Sequence, residues 1–206
     1  VPELSNPVFP AMAQVIESML TQRGFTPLLC AQQPGGTTED QYVEILLDHD
    51  VAGILFVSGL HADTQASTER YQVLRARGLP IVLVNGKADG VDAPAIATDD
   101  AVAVELAVRH LVALGHRKIG LAIGPERFVP AARKRAAFAA QLRAQLGVED
   151  VTPHVNTTLF TVEGGATAAH ELLDSGHTAI ICGSDLMALG VIRAARSRGL
   201  HVPQDV

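Results

Sequence analysis

Polar residues stand at or just beyond the ends of three short apolar runs, where they could hydrogen-bond to a small ligand. Ser58, Asn85 and Asp185 each come after a run rich in valine, isoleucine or leucine. The Asn85 amide can both donate and accept, and the Asp185 carboxylate accepts, so the set suits ligand hydroxyl groups. A simpler interpretation is also open, in which Ser58 and Asn85 are turn residues and Asp185 is an acid at a helix start.

Two further candidates lie at the start of the first predicted helix, residues 7–23. Asn6 is the predicted N-cap of this helix and Pro7 its first residue. Free N–H groups at a helix N-terminus can bind a ligand oxygen, and the ring of Phe9 can pack on the face of a sugar or a base. The alternative is that Asn6 only caps the helix and Phe9 only packs in the core.

Motifs that would indicate an enzyme are absent from the sequence. The pair Gly35-Gly36 does not supply the G-x-G-x-x-G of a dinucleotide site, no G-x-x-x-x-G-K-[ST] loop occurs, and neither Ser58 nor Ser184 lies in a G-x-S-x-G turn. The eight histidines contain no H-E-x-x-H pair and have no cysteine near them. The sequence therefore predicts a protein that is not an enzyme and has no cofactor or metal.

The composition indicates a globular chain that does not bind DNA by itself. The 206 residues are 48% hydrophobic and 18% charged, with a net charge of −6, whereas surfaces that bind DNA phosphates are usually basic. No apolar run is long enough to span a membrane. Cys30 and Cys182 lie in separate apolar runs and are predicted to be free buried thiols, which fits a cytoplasmic location.

Short apolar runs alternate with helical stretches, a pattern typical of a parallel α/β fold. The predicted strands are residues 26–31, 53–57, 81–85, 118–123 and 179–182, and the predicted helices are residues 7–23, 38–49, 65–77, 99–114, 130–146, 164–174 and 185–198. Five helices are predicted to stop at glycines 24, 78, 115, 176 and 199. A seam near residues 124–127 predicts two lobes, 1–124 and 125–206, whose strand ends share one cleft.

Six segments match the motifs of one known family, in order and at similar spacing. They read LSNPVF (4–9), VAGIL (51–55), GLPIVLVN (78–85), HLVALGHRKI (110–119), SDLMALG (184–190) and GLHVPQDV (199–206). Each motif alone is a weak signal, but six in register are a strong one. Together they resemble the effector-binding part of the LacI/GalR transcription regulators, which are related to periplasmic sugar-binding proteins.

The resemblance implies two Rossmann-like lobes with parallel sheets, the periplasmic binding protein-like fold, around a small-molecule cleft. It also implies a chain truncated at both ends. The family's helix-turn-helix, hinge helix and first strand would precede Val1, and a further strand and the return crossings would follow Val206. The regulators are cytoplasmic homodimers, often repressors, that bind operator DNA through the N-terminal domain absent here and have no membrane partner.

The same match implies two more ligand-binding residues. Arg135, in the segment AARKR (131–135), corresponds to an arginine that reaches the ligand, and Phe160 corresponds to an aromatic residue over it. A guanidinium fork suits vicinal hydroxyls or a carboxylate. The alternatives are a solvated basic turn for Arg135 and a core position for Phe160. The sequence departs from the family where Asn85 replaces a frequent Asp and Ser184 replaces a usual Asn.

The expected function is a ligand-sensing domain that binds a small effector, by default a sugar or a sugar derivative, and thereby modulates operator binding. An exported sugar-binding protein of a transport system has the same architecture and is the alternative. The motifs LGHRKI and SDLMALG favour the regulator.

Overall fold

The chain folds into two compact units, Val1–Ala97 and Thr98–Val206, in the computed structural model, which describes residues 1–33 and 35–206. Each unit has a three-stranded parallel sheet, which confirms the predicted α/β class. The predicted boundary after residue 124 does not coincide with this division. The strand Ile119–Ile123 pairs with strands at 155–157 and 179–182, so it belongs to the second unit.

The first unit places the ends of two neighbouring strands side by side. Its elements are α1 (Val8–Thr21), α2 (Glu39–Asp48), β1 (Ile54–Val57), a 3-10 helix (Leu60–Ala62), α3 (Glu69–Ala76), β2 (Ile81–Val84) and β3 (Ala95–Ile96). The sheet order is β1–β2–β3, and Val57 pairs with Val84. Phe56 of β1, Leu83 of β2 and Tyr71 of α3 lie in the same core. The residues that follow β1 and β2 are therefore neighbours.

The predicted strand at residues 26–31 is wrong. The segment has no strand hydrogen-bond ladder, and Leu28 and Leu29 are exposed. Val1 makes a single parallel contact with it, since its amino group donates to the Cys30 carbonyl and its own carbonyl accepts from Gln32 N–H. An apolar run becomes a strand only when another strand lies along it, and one residue does not provide a ladder.

The second unit is built around a fully buried central strand. Its elements are α4 (Asp100–Ala113), β4 (Ile119–Ile123), α5 (Val129–Leu146), a 3-10 helix (Thr152–His154), β5 (Val155–Thr157), α6 (Val162–Asp174), β6 (Ala179–Cys182) and α7 (Asp185–Ser197). The sheet order is β5–β4–β6. All five residues of β4 are buried, as expected for a strand covered on both faces. Phe138 of α5 and Met187 of α7 lie in the two clusters that pack on it.

Most predicted elements lie within a few residues of the observed ones, and the predicted helix stops are confirmed. Glycines 24, 78, 115, 176 and 199 all have positive φ, the left-handed conformation that lets a chain turn away from a helix. Strands β3 and β5 were missed because they are only two and three residues long. In the described residues no helix is long and apolar enough to cross a membrane.

The two cysteines are free, as predicted, but neither is fully buried. Cys182 lies in β6 as expected, and burial raises the pKa of its thiol to about 12. Cys30 lies in the segment that forms no strand, and partial burial raises the pKa of its thiol as well. Both thiols are therefore protonated and poorly nucleophilic at neutral pH.

Candidate functional site

Ser58 and Asn85, both predicted from sequence, meet at the carboxyl ends of the adjacent strands β1 and β2. Asn85 Nδ2 donates to Ser58 Oγ at 2.7 Å. Both residues have positive φ, +47° for Ser58 and +64° for Asn85, although neither is glycine. Such backbone conformations are costly and concentrate at ligand sites, where neighbouring contacts hold them. Each side chain keeps hydrogen-bonding capacity for a ligand beyond this one bond.

A buried polar network lies directly behind this pair. Glu39, the first residue of α2, accepts a hydrogen bond from the Tyr71 hydroxyl (2.5 Å) and another from Leu60 N–H (3.0 Å). His61 Nε2 lies 3.1 Å from the Val84 carbonyl oxygen and donates to it. Burial lowers the pKa of His61, and burial followed by the charge of Glu39 raises the pKa of Tyr71.

The sequence analysis missed this network, because its members look ordinary in the sequence. Glu39 follows Thr38, which with Gln41 forms a capping box at the start of α2. An acid in the first turn of a helix is favourable in any setting, so its presence does not distinguish a buried carboxylate from a solvated one.

The predicted N-cap Asn6 is wrong, because the N-cap of the first helix is Pro7, and Phe9 is the second residue of the helix. Asn6 Oδ1 accepts from Val8 N–H at 3.2 Å, and the helix begins at Val8 rather than Pro7. Phe9 is partly exposed, and α1 has no fully buried residue. A ligand role for these two residues stays a prediction.

In the second unit, Phe160 covers the carboxyl ends of β4 and β6. Its ring packs so closely over Gly124 and Gly183 that a Cβ would come within 2.1 Å of the ring at Gly124 and 3.2 Å of it at Gly183. The Phe128 ring lies 6.4 Å away, centroid to centroid. Phe160 is half-buried, so it packs in the core and also presents part of its ring to solvent. Two glycines thus make room for one aromatic ring at the carboxyl ends of β4 and β6.

Arg135 and Asp185 lie on the helices that follow β4 and β6. Arg135 Nε is 3.1 Å from Glu126 Oε1, and its side chain is 36% exposed. Its neighbour Lys134 forms an ion pair with the buried Asp100 at the start of α4. Asp185 is the exposed first residue of α7, whose N-cap Ser184 accepts from Met187 N–H.

The arrangement of the second sheet explains why these helix starts can serve a ligand. Its strand order places β4 between β5 and β6, so the connections after β4 and β5 leave on opposite sides of the sheet. In open parallel sheets, ligands bind beyond the strand ends where the connections diverge in this way. In the described residues, no group of three or more metal-ligating side chains is found.

Comparison with known families decides the classification. The model of the periplasmic binding proteins and sugar-binding domains of the LacI family matches residues 1–206 of the chain. The chain belongs to this family. The resemblance predicted from the six sequence motifs is thereby confirmed.

Relatives of this LacI-family chain are transcription regulators. It is 56% identical over 207 residues to an uncharacterised HTH-type transcriptional regulator encoded in the aml 5′ region of Streptomyces limosus, and it spans 59% of that protein. It matches a LacI-family regulator of Enterococcus faecium, solved with bound ribose, with 28% identity and a TM-score of 0.82, covering 100% of this chain and 73% of that one. The complex of the regulator CelR with cellobiose gives 27% identity and a TM-score of 0.82, covering 100% and 64%.

Proposed function

We propose that this chain is the effector-sensing part of a LacI-type transcription regulator and that its effector is a sugar or a sugar derivative. The observation that carries the proposal is the Ser58–Asn85 pair. Two hydrogen-bonding side chains meet at adjacent strand ends, both in left-handed conformations. Glycine would adopt this conformation without strain, and the two residues present instead carry side chains that hydrogen-bond to each other.

The candidate residues of the second unit also have side chains that suit a sugar. The Arg135 guanidinium is a planar donor for vicinal hydroxyls, and the exposed Asp185 carboxylate accepts from a hydroxyl. The exposed part of the Phe160 ring offers an apolar surface for a sugar face. Asn6 and Phe9 are proposed to contribute from the start of α1. Binding alone is proposed, without catalysis.

The relatives support a sugar as the effector and regulation as its purpose. Two structures similar to this chain hold ribose and cellobiose. The most similar relatives are named as HTH-type transcriptional regulators, which favours a regulator over an exported binding protein. The chain spans less than two thirds of those relatives, so its partners are proposed from the family. These are operator DNA, bound through a separate domain, and a second copy of the protein in the cytoplasm.

The proposed mechanism is a population shift. An effector that binds one arrangement of the protein more tightly than another increases the fraction of that arrangement. If the favoured arrangement binds the operator differently, effector and DNA are linked, and each must change the affinity of the other by the same factor. The chain's net charge of −6 agrees with DNA contact lying outside it.

A thermal-shift screen of the full-length protein tests the proposal. Ribose, cellobiose, other mono- and disaccharides, sugar phosphates, polyols and nucleobases are the ligands. A ligand at about 100 times its dissociation constant adds about 2.7 kcal/mol of stability, a shift in Tm that is easily measured. Arg135→Ala and Asp185→Ala should abolish the shift. Arg143→Ala is the matched control, since Arg143 lies on the same helix as Arg135 and pairs with exposed Glu149.

The outcomes separate the two halves of the proposal. A sugar hit that disappears in both variants but survives in the control supports the site. A hit indifferent to Arg135→Ala and Asp185→Ala places the ligand elsewhere, and no hit with any sugar overturns the effector class. Operator binding with and without the hit then tests regulation, and unchanged affinity at saturating sugar contradicts it.

A further inference from the structure

Glu39 and Asp40 are adjacent at the start of α2, yet their side chains have different surroundings. Glu39 is buried, with 8% of its surface exposed, whereas the side chain of Asp40 is 63% exposed. Asp40 pairs with Arg70, and these two line a groove of about 400 Å³ between α2 and α3. Glu39 Oε1 lies 3.8 Å from the same Arg70 nitrogen, and Glu39 also accepts hydrogen bonds from Tyr71 and Leu60 in the interior.

We propose that Glu39 and Tyr71 are a positioning pair that holds the loop at residues 58–62 in the conformation in which Ser58 and Asn85 meet the effector. The inference deepens the proposed function and rests on it. Neither member of the pair needs to touch the ligand, because both act through the backbone of the loop.

The loop is held from two sides. On the sheet side, the Val84 carbonyl accepts two hydrogen bonds, from Ser58 N–H at 2.9 Å and from His61 Nε2 at 3.1 Å. On the helix side, Glu39 accepts from Leu60 N–H, the first donor of the 3-10 helix. The loop residue that carries the ligand-binding hydroxyl therefore lies between an anchor on β2 and an anchor on α2.

The loop at residues 58–62 packs directly on the Glu39 carboxylate. A Cβ added at Gly59 would lie 2.2 Å from Glu39 Oε2, so the backbone passes directly over the carboxylate. A Cβ added at Gly86 would lie 2.7 Å from Ala62 Cβ, so the segment after Asn85 packs on the same 3-10 helix. A shift of the 3-10 helix would therefore displace both Ser58 and Asn85.

Tyr71 fixes the carboxylate in turn. The Tyr71 side chain is fully buried, and its ring stacks edge-to-face with Phe56 at 4.9 Å between centroids. Its hydroxyl donates to Glu39 Oε1. Without this acceptor, the hydroxyl and Leu60 N–H lose their partners, and the strained φ of Ser58 loses a contact that holds it. A smaller fraction of molecules then has the binding-ready loop, and the apparent dissociation constant rises in proportion.

Calorimetric titration of the full-length protein tests this inference, with ribose, cellobiose and the best sugar from the screen as probes. Glu39→Gln keeps the shape but replaces one acceptor oxygen by a donor, so we expect about tenfold weaker binding, equivalent to about 1.4 kcal/mol. Tyr71→Phe keeps the ring packing and should weaken binding less. Asp48→Asn, at an exposed position near the end of α2, is the control and should bind normally. Amide hydrogen exchange over residues 58–62 should speed up in Glu39→Gln and stay unchanged in Asp48→Asn.

Each outcome has one meaning. If Glu39→Gln lowers Tm but leaves the dissociation constant and the loop exchange unchanged, Glu39 is a structural residue and the inference is wrong. If Glu39→Gln does not fold, Tyr71→Phe decides the matter by the same two measurements. If the unmodified protein binds no sugar, the proposed function itself fails, which is distinct from normal binding in both variants.

Discussion

At the scale of single residues, the notable feature is backbone strain in residues that are not glycine. Ser58, Asn85 and Asp50 all have positive φ. Asp50 lies in the turn after α2, where the chain only has to change direction, but the other two carry side chains that meet. The strain at Ser58 and Asn85 is therefore tied to what their side chains do.

Replacing Asn85 by glycine should separate stability from binding. The change relieves a left-handed conformation worth about 1 kcal/mol and removes one hydrogen bond of similar worth, so the free energy of unfolding should change by less than about 1 kcal/mol. Sugar affinity should fall about tenfold, since the amide is lost. Asp50→Gly relieves the same kind of strain and should leave affinity unchanged. Equal affinity in both variants, measured by calorimetry, would remove Asn85 from the site.

The positions of the strand-end candidates could be predicted, but their supporting contacts could not. Parallel strands in register end together, so Ser58 and Asn85 were found from the apolar runs before them. The Glu39–Tyr71 hydrogen bond joins residues 32 positions apart on two helices, and no periodicity encodes that meeting. Arg135 and Phe160 came only from family motifs, since a basic turn and an isolated phenylalanine have no distinctive local pattern.

At the scale of elements, α6 and α7 pack backbone against backbone through glycines. A Cβ at Gly190 of α7 would lie 1.9 Å from the Val162 carbonyl oxygen, and one at Gly165 of α6 would lie 2.1 Å from the Met187 carbonyl oxygen. These atoms belong to the main chain and cannot move without shifting a helix. The spacing of the two helices therefore depends on both glycines.

Gly190→Ala should destabilise the second unit despite the better helix propensity of alanine. Propensity favours the change by about 1 kcal/mol, whereas overpacking against main chain costs about 3 kcal/mol or more, so the net loss is about 2 kcal/mol or more. Urea unfolding measures it. Leu189→Ala, at an exposed neighbouring position of α7, is the control and should change stability by less than about 1 kcal/mol. A stability gain in Gly190→Ala would mean that the two helices are not in this close contact.

Elements were predictable in proportion to their length and burial. The helices of the second unit and the buried strand β4 follow their apolar patterns within about two residues. The two-residue β3 has both residues exposed and is too short for a periodic pattern. Residues 26–31 fail in the opposite way, since no strand among the described residues lies along their apolar run. A sequence pattern shows what a segment would bury, whereas pairing decides whether it forms a strand.

At the scale of the whole molecule, each unit contains a buried histidine whose pKa is lowered, chiefly by burial. His61 has Glu39 nearby, which raises its pKa by less than burial lowers it. His177 donates to the Leu172 carbonyl and lies 3.1 Å from the His154 ring nitrogen, and the charges of His154 and Lys118 lower its pKa further. Both rings are therefore neutral in the folded protein over a range where they are protonated when unfolded.

Stability should consequently fall on acidification. Below the unfolded pKa of about 6.5 the unfolded chain binds more protons at these rings than the folded chain, so unfolding becomes easier, by at most about 1.4 kcal/mol per pH unit for each ring. By about pH 8 the rings are neutral in both the folded and the unfolded chain, and the effect vanishes. Urea unfolding at pH 7.5 and 5.5 should show the loss in the unmodified protein and a smaller one in His177→Gln. His110→Gln, at an exposed position of α4, is the control and should keep the full pH dependence. If the unfolding free energy of His177→Gln falls with pH as steeply as that of the unmodified protein, the acid sensitivity belongs to other groups.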